Sequence, residues 1–345
     1  MAPNVVTLTG FGFIILNVLT VLYYDPTLTE ETPRWTYFSY ALGLFLYQTF
    51  DACDGTHARR TGQSGPLGEL FDHCIDSLNT TLSMLVFCSV VNAGYGYLTL
   101  LSQFCLLCNF YLSTWEEYYT HKLFLSEFSG PVEGILLIIA VFILTGIFGP
   151  QTIWHTKVIQ LKLNNYTFDV ETLHIMCAFS GVALFFNILS ARRNVIDYYN
   201  RQKVSKEDTQ KEIDQATLGL APFFVYFSSV FLVVLVQPQF ISLPFILSVG
   251  LTIAFTVGRI IISHLTIQAY PMVNPPMFVP SVQLVLQLFF VKALGYSVSD
   301  VVASLNWFGF GLTLGIHCMF ITEVVYEFTT YLDIYALSIK HPKTA

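Results

Sequence analysis

Four aspartates lie within residues 51–76, a stretch that reads DACDGTHARRTGQSGPLGELFDHCID. Asp51 and Asp54 are three residues apart, and Asp72 and Asp76 are four apart, so each pair faces one side of a helix. Long apolar segments precede and follow the stretch. Carboxylates in such surroundings are energetically costly and usually serve a function. This stretch therefore limits the fold and the chemistry more than any other part of the chain.

The composition indicates an integral membrane protein. Of the 345 residues, 54% are hydrophobic and 11% are charged, and the mean hydropathy is +0.60. A soluble domain carries about 25% charged residues. The net charge of −7, without a basic patch interleaved with aromatic residues, argues against nucleic acid as a partner.

Apolar runs of about 20 residues predict an all-α polytopic fold with about ten membrane spans. The whole chain, 1–345, is expected to form one integral-membrane catalytic domain. Its motif core covers about residues 35–150, and additional helices cover about 172–335. The predicted spans lie at about residues 5–24, 35–53, 66–92, 95–117, 128–149, 172–191, 216–236, 241–266, 275–295 and 300–328.

The basic residues predict the orientation of these spans. If the loop with Arg59 and Arg60 is cytosolic, twelve of the sixteen Lys and Arg residues fall on the cytosolic side. Both termini are then cytosolic, and the loop at about residues 150–171 is lumenal. That loop contains the glycosylation pattern Asn165-Tyr-Thr.

The aspartates have the residue type and spacing of a metal site. Gly68, Asp72 and Asp76 form one stripe on the third predicted span, and Asp51 and Asp54 end the second span at the same depth. Carboxylate oxygens are the ligands that Mg²⁺ and Mn²⁺ prefer, and four carboxylates suffice for two ions. Divalent cations would also relieve the mutual repulsion of the four negative charges.

Two other interpretations of these aspartates are open from residue types alone. Aspartates at helix ends often only cap or solvate the helix, and acidic clusters in membrane helices also bind cations in transporters. The spacing favours a specific site over both, because eight positions agree with the pattern D-x2-D-G-x2-A-R-x8-G-x3-D-x3-D. These positions are Asp51, Asp54, Gly55, Ala58, Arg59, Gly68, Asp72 and Asp76.

This pattern is the signature of the CDP-alcohol phosphotransferase family, which the chain resembles over essentially its whole length. The segments GPLGELFDH, STWEEYYTHK, GPVEG and YALSIKHPK resemble the eukaryotic choline/ethanolamine phosphotransferase branch, most of all its fungal cholinephosphotransferases. The resemblance implies that CDP-choline and diacylglycerol are converted to phosphatidylcholine and CMP. It also implies a ten-helix fold, a homodimer, and an active site that faces the cytosol from the endoplasmic reticulum membrane.

The resemblance also implies roles for the motif residues. The four aspartates would hold two Mg²⁺ ions on the diphosphate of the substrate. His73 would act as the general base on the lipid hydroxyl, with Glu133 orienting or sharing the proton; alternatively, His73 only positions a neighbouring carboxylate. The residues expected to shape the nucleotide pocket are Asn4, Gly55, Ala58, Arg59 and Gly68.

A quaternary ammonium is bound by aromatic faces and carboxylates. Trp115, Glu116, Glu117 and Tyr118 would supply these at the cytosolic end of the fourth span, although Trp and Tyr are also typical of the membrane interface. Arg259 in the eighth span is a further costly residue. It is expected to meet a phosphate or to pair with an acid such as Glu323.

Several functional alternatives are open. CDP-ethanolamine, or both head groups, could serve as donor, because overall likeness alone favours choline. Phosphatidylinositol and phosphatidylglycerophosphate synthases are not expected to contain the STWEEY and GPVEG segments. A cation-coupled transporter would show inverted repeats, which are not evident in this sequence. The resemblance further implies a segment ahead of Asn4 with an interfacial helix, whereas this sequence starts at Met1.

Overall fold

The computed structural model of the protein describes residues 1–122, 131–163, 166–202 and 205–340. Almost all regular structure in these ranges is helical. A 3₁₀ turn at Pro275–Phe278 precedes α11, and a π-helical turn at Phe289–Ala293 follows it. The helices are α1 (Pro3–Tyr24), α2 (Arg34–Thr61), α3 (Pro66–Val90), α4 (Tyr97–Thr120), α5 (Pro131–Phe148), α6 (Pro150–Trp154), α7 (Thr172–Arg201), α8 (Lys206–Leu218), α9 (Ala221–Val236), α10 (Leu243–Leu265), α11 (Val279–Leu288) and α12 (Val298–Tyr331).

Six helical segments of the described chain are long and apolar enough to cross a membrane, and α5 is a shorter apolar helix. The predicted all-α polytopic fold is therefore confirmed. Helices α2, α3 and α4 coincide with the second to fourth predicted spans, but their polar residues lower their hydropathy. The count of ten spans stays a prediction. The six segments are Pro3–Tyr24, Thr172–Arg201, Lys206–Val236, Leu243–Leu265, Pro275–Ala293 and Val298–Tyr331.

The chain divides into two compact units. The first comprises Met1–Ser64, Leu82–Cys105 and Leu125–Asn187. The second comprises Gly65–Thr81, Leu106–Phe124 and Ile188–Ala345.

In the first unit, α1 packs along α2, and α2 packs along α5. The absence of a side chain at Gly43 allows α1 to approach closely, since an added Cβ would lie 2.5 Å from the Asn17 amide. Asn17 in turn donates a 3.1 Å hydrogen bond to the Tyr40 carbonyl. This packing fixes the direction of α2, the helix that ends in the acidic motif.

Asp25 anchors the turn between α1 and α2. Its buried carboxylate accepts hydrogen bonds from the backbone N–H groups of Thr29 (2.8 Å) and Glu30 (3.0 Å). The Ser89 hydroxyl, near the end of α3, donates a third bond of 2.7 Å. Because a buried carboxylate is stable only with such donors, Asp25 ties the turn to α3.

The predicted lumenal loop at about residues 150–171 contains a β-hairpin, which the all-α prediction missed. Strands β1 (Lys157–Leu163) and β2 (Tyr166–Glu171) pair antiparallel. The reason is local, since apolar and polar residues alternate in KVIQLKL and YTFDVE with the period of a strand. The predicted glycosylation acceptor, Asn165, lies outside the described residues.

In the second unit, α10 packs along α12 and is the most buried of the six apolar segments. Gly258 allows this approach, because an added Cβ would lie 2.7 Å from the Phe320 ring. The neighbouring Arg259 donates hydrogen bonds to the Val273 carbonyl (2.6 Å) and to Asn274 Oδ1 (2.9 Å). Arg259 thus binds the segment after α10 instead of the expected acid of α12.

Candidate active site

The acidic motif occupies the end of α2 and the start of α3. Helix α2 ends at Gly62, whose φ of +67° is a left-handed conformation that favours glycine. Its N–H closes the last turn on the Ala58 and Arg59 carbonyls. Helix α3 begins four residues after Gly62, at Pro66, and proline is tolerated in the first turn of a helix. The prediction that Asp51 and Asp54 end the second helix is wrong, because α2 continues about two turns past residue 53 and has Arg59 and Arg60 in its last turn.

Three of the four aspartates converge. Carboxylate oxygens of Asp51, Asp72 and Asp76 all lie within 4.8 Å of one another, and each side chain is half-buried. Three negative charges this close are unfavourable by themselves, and hard oxygen donors suit Mg²⁺ or Mn²⁺. The donor set and its geometry therefore fit a divalent cation.

The fourth aspartate, Asp54, is buried, with 7% of its surface exposed, and it faces α1. The Thr7 hydroxyl donates a 2.5 Å hydrogen bond to Asp54 Oδ2. On the same helix as Asp54, the amide of Gln48 donates to Asp51 Oδ2 at 3.1 Å. Thr7 was missed from sequence, although a small hydroxyl residue one turn after Asn4 in an apolar helix was an available signal.

Three of the predicted nucleotide residues lie in the last two turns of α2. Gly55 and Ala58 are half-buried and Arg59 is exposed, so this part of α2 is reachable by a water-soluble ligand. A Cβ added at Gly55 would meet only the Arg59 guanidinium, at 3.6 Å. Gly68 lies in the first turn of α3, and Asn4 lies in the first turn of α1. Their role in nucleotide binding stays a prediction.

The predicted proton-transfer residues lie on two helices. His73 follows Asp72 directly on α3 and is half-buried. His73 lies about two turns into α3, and Glu133 is exposed in the first turn of α5. Their catalytic roles stay predictions.

Two of the predicted head-group residues are enclosed by protein. Trp115 is 1% exposed, and its indole N–H donates a 2.8 Å hydrogen bond to the Ala216 carbonyl. Glu116 is 6% exposed and accepts a 2.7 Å hydrogen bond from the Asn194 amide. These contacts bind the end of α4 to α7 and α8 within the second unit.

The other two, Glu117 and Tyr118, are half-buried. The Tyr118 hydroxyl donates to the Gln268 carbonyl at 2.7 Å, and its ring meets Tyr270 edge-on at 5.0 Å. Tyr270 also stacks on Tyr119, with ring centroids 5.5 Å apart. Burial raises the pKa of Tyr270 well above its ordinary value, so this phenol stays neutral. Tyr270 follows Tyr118 by 152 residues in the sequence, and no sequence pattern indicated that the two rings meet.

A polytopic helical fold with three converging carboxylates that fit a divalent cation is typical of the class of metal-dependent membrane enzymes. The sequence profile of the family described as CDP-alcohol phosphatidyltransferase matches residues 1–162.

Known relatives extend this similarity to the whole chain. Cholinephosphotransferase 1 of Saccharomyces cerevisiae is 62% identical over 346 residues, which cover 99% of this chain and 88% of that protein. Choline/ethanolaminephosphotransferase 1 of the same yeast is 57% identical over 344 residues, with coverages of 99% and 88%. Choline/ethanolaminephosphotransferase 1 of Arabidopsis thaliana is 31% identical over 365 residues, with coverages of 98% and 87%. The chain belongs to the CDP-alcohol phosphatidyltransferase family and is a transferase.

Proposed function

We propose that this enzyme transfers phosphocholine from CDP-choline to diacylglycerol and produces phosphatidylcholine and CMP. The observation that carries the proposal is the triad of Asp51, Asp72 and Asp76. It occurs in a chain that is 62% identical to a protein named cholinephosphotransferase. The chain belongs to a family of transferases and contains the signature motif of that family. The transporter alternative is therefore abandoned.

The triad would hold Mg²⁺, or Mn²⁺ in its place, and Asp54 would complete the ligands for two ions. When bound, the cations neutralise negative charge on the diphosphate and on the departing CMP. Thr7 orients the Asp54 carboxylate through its hydrogen bond. Asn4, Gly55, Ala58, Arg59 and Gly68 would form the nucleotide side of the pocket.

The acceptor hydroxyl of diacylglycerol is a weak nucleophile at its own pKa and needs a base. His73 would accept its proton while the hydroxyl oxygen forms a bond to the choline-bearing phosphorus. The bond from that phosphorus to the bridging oxygen breaks, and CMP leaves with the electron pair. Glu133 would orient the imidazole or share the proton.

The head group would meet the end of α4. Glu117 and Tyr118 are half-buried and would contact the quaternary ammonium through a carboxylate and an aromatic face. Trp115 and Glu116 are enclosed, so we assign them the role of positioning these two neighbours. CDP-ethanolamine is the second candidate donor, because the second yeast relative is named for both head groups.

The multi-pass fold places the enzyme in a bilayer. We propose the endoplasmic reticulum membrane, with the acidic triad at the cytosolic face, because the lysine and arginine distribution favours that orientation. A water-soluble nucleotide and a membrane lipid can both arrive there. A homodimer is the proposed assembly, on the resemblance to the family.

The test is an assay of the purified protein in lipid nanodiscs that contain diacylglycerol. CMP release and the lipid product are measured with Mg²⁺ and either CDP-choline or CDP-ethanolamine. The proposal expects phosphatidylcholine, formed faster than phosphatidylethanolamine. The assignment would be overturned if no CMP were released with either donor. A faster rate with CDP-ethanolamine would reverse the head-group preference.

A further inference from the structure

The two faces of the β1–β2 hairpin differ sharply in polarity. Pairing in the register Leu161–Phe168 and Ile159–Val170 places four apolar residues on one face, since opposed residues in a ladder share a face. The alternating positions form the other face, where Gln160 opposes Asp169 and Lys162 opposes Thr167.

The polar face holds an ion pair and a side-chain hydrogen bond within the hairpin. Lys157 and Asp169 form an ion pair at 2.5 Å, and the Gln160 amide donates to Asp169 Oδ1 at 2.9 Å. The hydrogen bonds from Lys157 and then Gln160 lower the pKa of Asp169, so this carboxylate stays charged at neutral pH. Such a face is suited to water.

The apolar face is uncovered in the described protein. Exposed fractions are 53% for Ile159, 52% for Leu161 and 53% for Phe168. A two-stranded ribbon is marginally stable by itself in water, and an exposed apolar sheet face favours association with another apolar surface. The uncovered face therefore needs an occupant.

The base of the hairpin is firmly held beside α7. Trp154 and Leu173 pack with Val91 in a buried cluster. The imidazole of His155 bridges Glu171 (2.7 Å, Nδ1) and the Val91 carbonyl (3.1 Å, Nε2). The open end of the hairpin is therefore fixed to the rest of the first unit. Helix α7 begins at Thr172, directly after the last residue of β2.

The apolar face continues onto the surface of α7. The Phe168 ring contacts the ring of His174, in the first turn of α7, with centroids 5.2 Å apart. Beyond this contact, Ile175 and Phe179 are exposed by 45% and 72%, and only 11% of the apolar window of α7 is buried. The exposed apolar surface of α7 is long enough to cross a bilayer, and the hairpin face is continuous with it.

We propose that the β1–β2 hairpin lies flat on the bilayer at the start of α7, with the Ile159, Leu161 and Phe168 face in the boundary between head groups and acyl chains. The occupant of the face is lipid, because the face is continuous with the exposed apolar surface of α7 and carries the aromatic ring of Phe168 at the start of that helix. Lys157 and Lys162 then lie on the aqueous side. The hairpin so placed holds α7 at a defined depth, independently of the proposed reaction.

The test uses tryptophan substitutions in adjacent residues of opposite faces. Leu161→Trp and Phe168→Trp report on the apolar face, and Gln160→Trp and Thr167→Trp are the matched controls. Each full-length variant is placed in nanodiscs with or without lipids brominated near the head group, and its fluorescence is compared with that of the parent protein. Acrylamide serves as the aqueous quencher.

The proposal expects bromolipid to quench the added tryptophan at least twofold more on the apolar face than on the polar face. Acrylamide should quench the added tryptophan more on the polar face than on the apolar face. Equal quenching on both faces would overturn the proposal. Protection of the apolar face from both quenchers would also overturn it, because a second copy or another protein would then cover that face.

Discussion

Thr7 on α1 donates a 2.5 Å hydrogen bond to the buried carboxylate of Asp54 on α2. The bond restricts the rotamer of Asp54 from a helix that lies outside the signature stretch. The first helix of the chain is thus part of the support of the acidic motif. We expect this support to appear in the kinetics.

Replacement of Thr7 by valine keeps the side-chain shape and removes the donor. A hydrogen bond to a charged group contributes about 1.5–3 kcal/mol, so kcat/KM should fall about 10- to 100-fold. The Mg²⁺ concentration that gives half-maximal activity should rise, as measured by titration of activity with the metal. Thr9→Val is the control, because Thr9 is exposed and bonds only to the Val5 carbonyl of its own helix. An unchanged Mg²⁺ requirement in Thr7→Val would contradict the role given to this bond.

Removal of one carboxylate from the triad should nearly abolish activity. Asp72→Asn and Asp76→Asn each remove a hard, charged ligand, and a loss of several kcal/mol of charge stabilisation corresponds to about 10³-fold in rate. Chelation with EDTA should inactivate the parent enzyme, and Mg²⁺ should restore it. Glu30→Gln, at an exposed acid outside the motif, should leave the rate unchanged. Full activity after exhaustive chelation would show that the triad holds no essential metal.

Replacement of His73 by alanine should lower turnover about 10²- to 10⁴-fold, the usual contribution of a general base. CDP-choline binding, measured by calorimetry in the presence of Mg²⁺, should remain within a few-fold of the parent. Loss of nucleotide binding in the same variant would instead assign His73 the role of holding a neighbouring carboxylate.

The end of α4 offers a paired test of head-group recognition. Glu117→Gln should raise the KM for CDP-choline about tenfold, which corresponds to roughly 1.4 kcal/mol of lost charge attraction. Trp115→Phe leaves the Ala216 carbonyl without its donor, so the melting temperature should fall while the ratio of rates with the two donors stays constant. A changed ratio in Trp115→Phe would place the indole in direct contact with the head group.

Asp25 should matter for stability and little for chemistry. Asp25→Ala leaves two backbone N–H groups and the Ser89 hydroxyl without their acceptor, at a cost of about 2–4 kcal/mol. Thermal unfolding in detergent should show a lower melting temperature. Activity per folded molecule, measured well below that temperature, should be close to the parent. A normal melting temperature would mean that water replaces the lost acceptor.

Local patterns in the sequence were enough for some features. The apolar runs predicted the membrane helices, and the spacing of four residues predicted that Asp72 and Asp76 face one side of α3, because both depend only on helix geometry. The alternation in residues 157–171 is typical of strands, but the apolar runs on both sides of it favour an all-α fold. The hydrogen-bond partners of Arg259 could not be predicted from the sequence. Val273 and Asn274 follow a turn whose path local patterns do not specify.

The sequence by itself determined that this chain is a polytopic membrane protein of the CDP-alcohol phosphatidyltransferase family with an acidic motif shared by two successive helices. Only the tertiary structure decided that Asp51, Asp72 and Asp76 converge while Asp54 turns toward Thr7. It also decided that Tyr270 joins Tyr118 and that Trp115 is enclosed. The physical reason is that periodicity places a residue on a face of its own helix. Which faces meet depends on close approaches between helices, such as that of Asn17 at Gly43, and these join residues distant in sequence.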